Sequence, residues 1–345
     1  MQLADLDYVL PEELIAQQPA PERAQARLLV LERQSPSTRH LRIADLPALL
    51  RPGDLLVLND TRVIPARVHG RRPTGGTLEL LFVRRRDDGS DGGGEEWEVL
   101  VRGSPRAGEG VHLPDADAAW RGPLGDGRWR LAIRAGEAVP DWLERVGEVP
   151  LPPYIRRPGG PTGSDRERYQ TSYARVPGAI AAPTAGLHLT PALLDHLRAA
   201  AIGVAAVTLH VGPGTFLPIR VDDLDRHVME SEWYDIPPLA ATDIARARAE
   251  GRRVIAVGTT TVRALEAAGR DGTLAAGPGE ARLFIRPGFR FRIVDALLTN
   301  FHLPKSSLVA LVAAFAGWNR IRAAYEEAVR LRYRFYSFGD AMLLT

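Results

Sequence analysis

The stretch "RRVIAVGTTTVRALEAAG", residues 252–269, decides the fold class of this 345-residue chain. Its apolar run "VIAV" has strand length, and "TVRALEAA" has the composition of a helix. A buried strand that passes through a glycine turn directly into a helix is the repeating unit of α/β sheets. The stretch therefore predicts one strand and one helix of an α/β domain, with Thr259, Thr260 and Thr261 at their junction.

The same alternation continues on both sides of this stretch. Further strands are predicted at "RLLVLER" (27–33), "DLLVLND" (54–60), "GVAAVTLHV" (203–211) and "FRIVDALLTNFH" (291–302). Further helices are predicted at "PEELIAQQP" (11–19), "PALLDHLRAAAI" (191–202), "PPLAATDIARARAEG" (237–251), "SSLVALVAAFAG" (306–317) and "NRIRAAYEEAVRLRYRF" (319–335). Strands that alternate with helices favour a largely parallel sheet.

Residues 68–149 have a different texture and are predicted to form a separate domain. Short strand-like pieces, such as "TLELLFVRR" and "RWRLAIRA", alternate there with turn-rich tracts, and "RRDDGSDGGGEE" (85–96) is predicted to be a flexible loop. Such a pattern indicates a small β-barrel or sandwich with Trp97, Trp120 and Trp129 in its core. Residues 1–67 and 150–345 then form a discontinuous α/β domain, into which 68–149 is inserted.

Composition restricts the function classes. Hydrophobic content of 45% and charged content of 25% are typical of a globular protein. The absence of cysteine excludes disulfides, thiolate nucleophiles and cysteine-ligated metals. The N-terminal sequence carries acids and no apolar segment of signal-peptide length, and the apolar runs are shorter than a membrane span, so a soluble cytoplasmic protein is expected. Net charge is +2, and Lys305 is the only lysine among many arginines, which suit phosphate recognition.

Polar side chains follow the apolar runs at five places. They are Asn59, Asp60, Thr61 and Arg62 after "LLVL"; Thr184 and His188 in "IAAPTAGLHLT"; His210, Gly212, Gly214 and Thr215 in "VTLHVGPGTF"; Thr259, Thr260, Thr261 and Arg263 in "VIAVGTTTVR"; and Thr299, Asn300, His302, Lys305, Ser306 and Ser307 in "ALLTNFHLPKSS". Ligands of open α/β sheets bind beyond the carboxyl ends of the strands. Taken singly, each place is better explained by a turn or helix cap; together they predict one polar crevice.

Known nucleotide and hydrolase motifs do not account for this crevice. "GPGT" is followed by "FLPIRVDD" rather than by a helix, which excludes a dinucleotide fingerprint, and neither a Walker loop nor a G-x-S-x-G elbow is present. His227, Glu230 and Glu232 in "HVMESE" form only a weak metal motif. The tail "RLRYRFYSFGD" interleaves arginines with aromatic residues, which suits RNA binding or, alternatively, the packed end of a helix.

Several longer motifs resemble those of the S-adenosylmethionine:tRNA ribosyltransferase-isomerase family of queuosine biosynthesis. They are "LVLNDTRVIPARV", "YQTSYA", "AAPTAGLHLT", "VTLHVGPGTF", "GTTTVRALE", "TNFHLPKSSL" and "YRFYSFGDAMLL". The resemblance implies an α/β domain with an inserted β-barrel. It also implies that the ribosyl part of S-adenosylmethionine is transferred to 7-aminomethyl-7-deazaguanine at the wobble position of tRNA and isomerised, giving epoxyqueuosine, adenine and methionine.

The resemblance implies the remaining expectations. S-adenosylmethionine is a substrate, so no cofactor and no metal are expected, the partner is tRNA carrying the aminomethyl-deazaguanine base, and the chain is expected to be a monomer. The reaction needs a base and an acid, a role for which histidine is suited near neutral pH, and His188, His210 and His302 are the candidates, with no assignment between them. Substrate-binding candidates are Asp60, Thr61, Arg62, Thr184, Gly212, Thr215, Glu232, Thr259, Thr260, Arg263, Asn300 and Ser306. Candidates for tRNA binding are Arg156, Arg157, Lys305, Arg332, Arg334 and Tyr336.

Three positions depart from the family pattern. Ala24 and Ala26 stand where the family has Asp and Ser, and Glu230 stands where it commonly has a second His. These departures put in doubt a substrate-binding role of the N-terminal segment and a catalytic pair at positions 227 and 230. Two alternatives stay open: a non-catalytic tRNA-binding protein on the same fold, and a different sugar-processing enzyme.

Overall fold

The structure, a computed structural model, describes residues 1–33, 35, 37–86, 94–216, 219 and 221–345, without the side chains of 215 and 216. The strands are β1 (Arg27–Leu31), β2 (Thr38–Arg42), β3 (Leu55–Asn59), β4 (Thr61–Val63), β5 (Arg67–Arg71), β6 (Thr77–Arg86), β7 (Glu95–Arg102), β8 (Gly110–Leu113), β9 (Ala116–Gly125), β10 (Arg128–Ala135), β11 (Val176–Ala179), β12 (Gly203–Leu209), β13 (Glu232–Ile236), β14 (Val254–Val257), β15 (Gly277–Ala281), β16 (Ala296–Asn300) and β17 (Ala341–Leu344). The helices are α1 (Leu46–Leu49), α2 (Val139–Val146), α3 (Gly163–Arg168), α4 (Pro191–Ala199), α5 (Pro238–Ala249), α6 (Thr259–Ala268), α7 (Ser307–Ala316) and α8 (Trp318–Arg330).

The main sheet is mixed rather than largely parallel. In the described residues its order is β15-β13-β12-β3-β14-β16-β17-β1-β2. The pairs β12/β3, β3/β14, β14/β16 and β17/β1 are parallel, and the others are antiparallel. The prediction was wrong because β2, β13, β15 and β17 were not recognised as strands, and each of them takes part in at least one antiparallel pair.

The sheet is buried on both faces, which explains its continuous apolar runs. Successive side chains of a strand point to opposite faces. Leu55 and Val57 of β3 pack in the same core as the apolar residues of α5 to α8, whereas Leu56 and Leu58 pack with those of α4. All four side chains are buried. Helices therefore cover both faces of the sheet.

The inserted region is a closed antiparallel barrel, as predicted. Among the described residues its strands follow the order β10-β7-β6-β5-β8-β9, and β9 closes it on β10. Trp97 and Trp120 are buried in its core, and the partly buried Trp129 packs against Trp120. The barrel strands run from Arg67 to Ala135; the domain limits at 67/68 and 149/150 stay a prediction. Most of the predicted flexible loop lies outside the described residues.

Two segments near the site differ from the prediction. In place of the helix expected at 11–19, the chain forms only the 3₁₀ turn Glu12–Leu14, because Leu14 and Ala16 exchange backbone hydrogen bonds with Phe335. The apolar run "IAA" at 180–182 is not a strand of the main sheet. The strand β11 precedes this run and pairs with β4. In the described residues these two strands form a separate, two-stranded sheet.

Candidate active site

A recess opens at the carboxyl ends of the parallel strands β14 and β16. It encloses about 640 Å³ of empty space, part of which is open to solvent. Its walls are formed by Tyr154, Ala182, Pro183, Thr184, Ala185, Val211, Gly258, Thr259, Thr260, Thr299, Asn300, Phe301, His302, Leu303, Ser306, Leu308, Tyr336 and Ser337. Of the polar side chains predicted from the sequence, the structure thus brings together Thr184, Thr259, Thr260, Thr299, Asn300, His302, Ser306 and Tyr336.

Two helices begin at the recess. The chain leaves β14 through Gly258, whose φ of 91° is in the region that favours glycine, and α6 starts at Thr259. Ser306 caps α7 by accepting a hydrogen bond from the backbone N–H of Val309 (3.2 Å), so the cap explanation holds at this position. A helix N-terminus carries partial positive charge and free N–H groups. Both helices therefore favour negative charge on a ligand in the recess.

His302 lies between β16 and α7 and lines the recess. Its Nε2 is 2.7 Å from Thr299 Oγ1, its backbone N–H donates to the Tyr325 hydroxyl (3.1 Å), and its carbonyl accepts a hydrogen bond from the Tyr8 hydroxyl. Burial lowers the pKa of His302 to about 3. The imidazole is therefore held in one orientation and is neutral near pH 7.

His188 lies behind Asn300 rather than in the wall of the recess. Burial, only partly offset by Asp340, lowers the pKa of His188 to about 4, and a hydrogen bond to the backbone of Arg23 favours the charged form. Its Nε2 is 3.3 Å from Asn300 Nδ2, which also donates to the carbonyl of Tyr336 (3.2 Å). Since acceptors surround Nδ2, the amide orientation of Asn300 is set, and its buried Oδ1 has no protein partner among the described residues.

An aromatic pair closes one side of the recess. The rings of Tyr154 and Tyr336 are 4.8 Å apart, and the Tyr154 hydroxyl is 2.7 Å from Ser337 Oγ. Tyr336 has a φ of 70°, a conformation that costs a non-glycine residue about 1–2 kcal/mol. Its ring is buried in the recess wall and not exposed on the surface. Tyr154 and Ser337 were not predicted: one lies in the proline-rich linker, and the other in the tail.

A second group of polar residues, the β3–β12 network, lies beside the recess and consists of Asn59, Asp60, Thr61, Thr208 and His210. Asn59 exchanges hydrogen bonds with the backbone of Leu209 (both 3.0 Å). Asp60 accepts from Thr208 Oγ1 (2.7 Å) and from the Arg175 guanidinium (2.8 and 3.1 Å). These groups are satisfied by the protein itself, as buried polar groups usually are.

His210 belongs to this network. Its Nδ1 is 2.8 Å from Thr61 Oγ1, and its ring stacks on Trp233 with 4.8 Å between the centroids. Burial lowers the pKa of His210, and the charge of Asp60 partly opposes this. His210 does not line the recess that holds His302. The three histidines predicted to be catalytic therefore occupy three different environments.

The remaining predicted substrate-binding residues lie outside the recess wall. Glu232 and Arg263 form a buried ion pair, and Glu232 Oε1 accepts from the backbone N–H of Gly212 (3.0 Å). Arg263 Nε and Nη2 have no hydrogen-bond partner in the described part of the chain. Arg62 is exposed, 3.6 Å from Glu144. The side chain of Thr215 lies outside the described residues.

Most of the cations predicted to bind tRNA have an acidic neighbour. Arg156 pairs with Glu12, Arg157 with Asp165 (2.8 Å), Lys305 with Asp7 (2.6 Å), and Arg332 is 3.9 Å from Glu13. Arg334 instead donates to the carbonyl of Gln18. In the ranges described, no three His, Asp or Glu side chains come together as metal ligands.

Sequence comparison decides the family. The family described as "Queuosine biosynthesis protein" matches residues 3–344. The S-adenosylmethionine:tRNA ribosyltransferase-isomerase of Anaeromyxobacter sp. (strain Fw109-5) is 53% identical over 347 residues, which cover 100% of this chain and 99% of the relative. The enzyme of the same name from Geobacter sulfurreducens is 52% identical, with both chains covered in full.

The chain belongs to the queuosine biosynthesis family. The family resemblance and the enzyme class predicted from the motifs are therefore confirmed. A crystal structure of S-adenosylmethionine tRNA ribosyltransferase from Thermotoga maritima is similar across 99% of this chain and 100% of its own, with 35% identity and a TM-score of 0.56. The α/β domain with an inserted barrel is thus the architecture of a known member of this family. None of the described helices is long and apolar enough to cross a membrane.

Of the three departures from the family pattern, Glu230 has a structural explanation, and nothing in the structure explains Ala24 and Ala26. Glu230 pairs with Arg128 of the barrel, and its carboxylate packs against Gly214, where a Cβ atom would lie 2.5 Å from Oε2. His227 packs edge-on against Phe284. Glu230 therefore joins the barrel to the loop after β12.

The family motif "YQTSYA" has a structural role in this chain. Gln170 exchanges hydrogen bonds with the backbone of Val63, and Ser172 Oγ donates to the carbonyl of Leu189 (2.7 Å). A Cβ atom built on Gly186 would lie only 2.1 Å from the Tyr173 hydroxyl oxygen. The motif thus holds the segment that carries Thr184 and His188 against the sheet.

Proposed function

We propose that this enzyme transfers the ribosyl part of S-adenosylmethionine to 7-aminomethyl-7-deazaguanine at the wobble position of tRNA and isomerises it, giving epoxyqueuosine, adenine and methionine. The observation that carries the proposal is a recess that combines hydroxyl and amide groups, two helix N-termini, an aromatic pair and a neutral histidine. Each of these features answers a need of the reaction.

The binding groups suit a nucleoside. Thr184, Thr259 and Thr260 present hydroxyls to a ribose, and Asn300 presents an amide. The rings of Tyr154 and Tyr336 offer an apolar surface on which adenine can pack. The N-termini of α6 and α7 stabilise the alkoxide-like oxygens that develop when the ribose rearranges. The recess therefore binds the part of S-adenosylmethionine at which bonds are broken.

His302 is assigned the role of base, because of the three candidate histidines it alone lines the recess in the described residues. The sulfonium acidifies the adjacent ribose methylene, and the neutral imidazole accepts a proton from it. Burial makes the imidazole a weak base but makes its protonated form a strong acid. The proton therefore passes readily to adenine as it leaves. His188 acts through Asn300, whose amide it helps to orient.

The experiment is a product assay. The purified protein is incubated with S-adenosylmethionine and with tRNA that carries the aminomethyl-deazaguanine base, and free adenine, methionine and the nucleoside mass of epoxyqueuosine are measured. All three products are expected, and none should form with tRNA that has guanine at the wobble position. Binding of the modified tRNA without any product would overturn the proposal and favour a non-catalytic binding protein.

A further inference from the structure

A second, smaller cavity lies behind His188. It contains about 280 Å³ of empty space, part of which is open to solvent, and is lined by Pro19, Ala20, Arg23, Arg168, Leu187, His188, Ser337, Phe338 and Gly339. His188, with Asn300 on its other side, and Ser337, which lines both spaces, separate this cavity from the recess. The cavity is thus next to the candidate active site but is not part of it.

Two guanidinium groups line the cavity and a third lies close to it, and none of them has a carboxylate of its own. Arg23 and Arg168 are lining residues. The Arg334 guanidinium donates to the carbonyl of Gln18, the residue before the lining residue Pro19, and its charge acts on His188. None of the three forms an ion pair within the described part of the chain, in contrast to Arg156 and Arg157 nearby. The carboxylate of Asp340, which acts on Arg334, is already paired with Arg27 (3.0 Å).

Backbone carbonyls hold the three guanidiniums in place. Arg23 Nη1 donates to the carbonyls of Gln170 (2.8 Å) and Leu187 (3.1 Å). Arg168 donates to the carbonyls of Ala20 and Pro21, and Arg334 to that of Gln18. Carbonyl bonds orient a guanidinium but leave its charge uncompensated. Burial and the charge of Arg168 accordingly lower the pKa of Arg23, which is the direction expected for a cation without a counter-ion.

We propose that Arg23, Arg168 and Arg334, the arginine cluster, bind a backbone phosphate of the tRNA, beside the nucleotide whose base enters the recess. The inference rests on the proposed function. A guanidinium matches a phosphate in charge and in hydrogen-bond geometry. The lining residues Pro19 and Ala20 are partly exposed and are flanked by the exposed residues 17, 18, 21 and 22, so a polynucleotide can reach the cavity from the surface. The wall formed by His188 and Asn300 separates it from the recess assigned to S-adenosylmethionine, which argues against the methionine carboxylate as its occupant.

Two of the three arginines offer a direct test. In the absence of S-adenosylmethionine, the affinity for tRNA is measured at several salt concentrations for the wild type, Arg168→Gln and Arg334→Gln. Each variant is expected to raise the Kd about 5- to 10-fold at low salt and to reduce the slope of log K against log salt by about one, as the loss of one phosphate contact requires. Arg166→Gln is the matched control, because Arg166 lies on the same helix as Arg168 but pairs with Glu144. Its Kd for tRNA and its salt slope should equal those of the wild type.

The outcomes separate the inference from the proposed function. If the wild type binds no tRNA, the proposed function itself fails. If it binds and both Gln variants keep its Kd within twofold and its salt slope, the arginine cluster is not a phosphate site. An increase in the KM for S-adenosylmethionine with an unchanged Kd for tRNA would assign the cavity to the methionine carboxylate and overturn the inference. Because Arg168→Gln also removes two carbonyl bonds, thermal unfolding is measured alongside, and Arg168→Lys, which keeps the charge, should retain the wild-type salt slope.

Discussion

The recess and the β3–β12 network are both rich in polar side chains at the carboxyl edge of the same sheet, but they differ in what those side chains bind. In the network, Asp60 is occupied by Thr208 and Arg175, and Asn59 is occupied by the backbone of Leu209. In the recess, polar residues border empty space, and Asn300 Oδ1 has no partner among the described residues.

This difference separates polar residues that stabilise the fold from those that are available to a ligand. A buried polar group that is fully hydrogen-bonded contributes to stability, and leaving such a group unpaired costs about 1–3 kcal/mol. A polar group beside a cavity keeps its hydrogen-bonding capacity for a substrate. His302 and His210 lie on the two sides of this division, although the sequence presents both in the same way, near the end of a predicted strand.

The largest expected effect concerns these two histidines. His302→Gln should lower kcat for adenine release about 10²- to 10⁴-fold, the usual contribution of a general base. His210→Gln should lower it less than about 10-fold, because that ring contacts Thr61 and Trp233 outside the recess. Initial rates of adenine release with both substrates saturating measure the two effects. Equal losses in the two variants would show that the recess does not contain the base.

The second prediction concerns the stability of the enzyme in acid. Unfolded histidine has a pKa near 6.5, whereas the folded values are about 4 for His188 and about 3 for His302. Both histidines have a lower pKa in the folded than in the unfolded protein. The stability that the folded protein has with neutral imidazoles is therefore fully present above pH 6.5 and is lost as the pH falls towards the folded pKa values. At pH 5 each imidazole has lost about 2 kcal/mol of stabilisation.

Chemical denaturation at pH 7 and pH 5 measures this loss. The difference in unfolding free energy between the two pH values should be about 2 kcal/mol smaller in His188→Gln than in the wild type. His196→Gln, on the exposed side of α4, is the control variant. The same pH dependence in the wild type and His188→Gln would mean that His188 is not held neutral.

The third prediction compares the two ends of β3. Asp60 follows its last residue and binds Arg175, whereas Asp54 precedes its first residue and binds Arg253 (2.5 Å). Both carboxylates are buried. Asp60→Asn and Asp54→Asn should each destabilise the protein by about 1–3 kcal/mol, because each removes a buried charge-assisted acceptor.

If the network is structural, activity should not distinguish the two ends of the strand. At a temperature at which both variants are folded, kcat should remain within about threefold of wild type for each of them, since neither removes a recess residue. Unfolding by denaturant and adenine release are measured on the same preparations. A loss of activity confined to Asp60→Asn would place the network within the active site after all.

The strand exits of the main sheet were predictable because their signals are local. An apolar run followed by Gly258 and a threonine-rich helix start specifies β14 and α6 without reference to the rest of the chain. The barrel was predictable for a similar reason, from short strands between turns. By contrast, β9 contains Gly122 and Pro123, lacks a clean alternation, and is a strand only because β8 and β10 pair with it.

The division between the recess and the network could not be predicted, because it depends on tertiary packing. The β12/β13 pairing places Trp233 against His210, and Tyr8 and Tyr325 pack around His302. These tertiary contacts decide that His302, and not His210, lines the recess. The arginine cluster likewise combines Arg23, Arg168 and Arg334, which are far apart in the sequence. A prediction from local pattern gives the candidates but not their partners.

The smallest expected effect concerns Tyr154, which the linker contributes to the recess. Tyr154→Phe removes the hydrogen bond to Ser337 Oγ (2.7 Å) but keeps the ring against Tyr336. Loss of one such bond costs about 1 kcal/mol, so the KM for S-adenosylmethionine should rise up to about fivefold while kcat is retained. Tyr154→Leu, which also removes the ring, should raise the KM further, because the adenine loses the surface on which it packs. Initial-rate kinetics at varied S-adenosylmethionine measure both. If the KM is unchanged in Tyr154→Leu, the aromatic pair does not contact the substrate, and the linker belongs with the β3–β12 network among the structural elements.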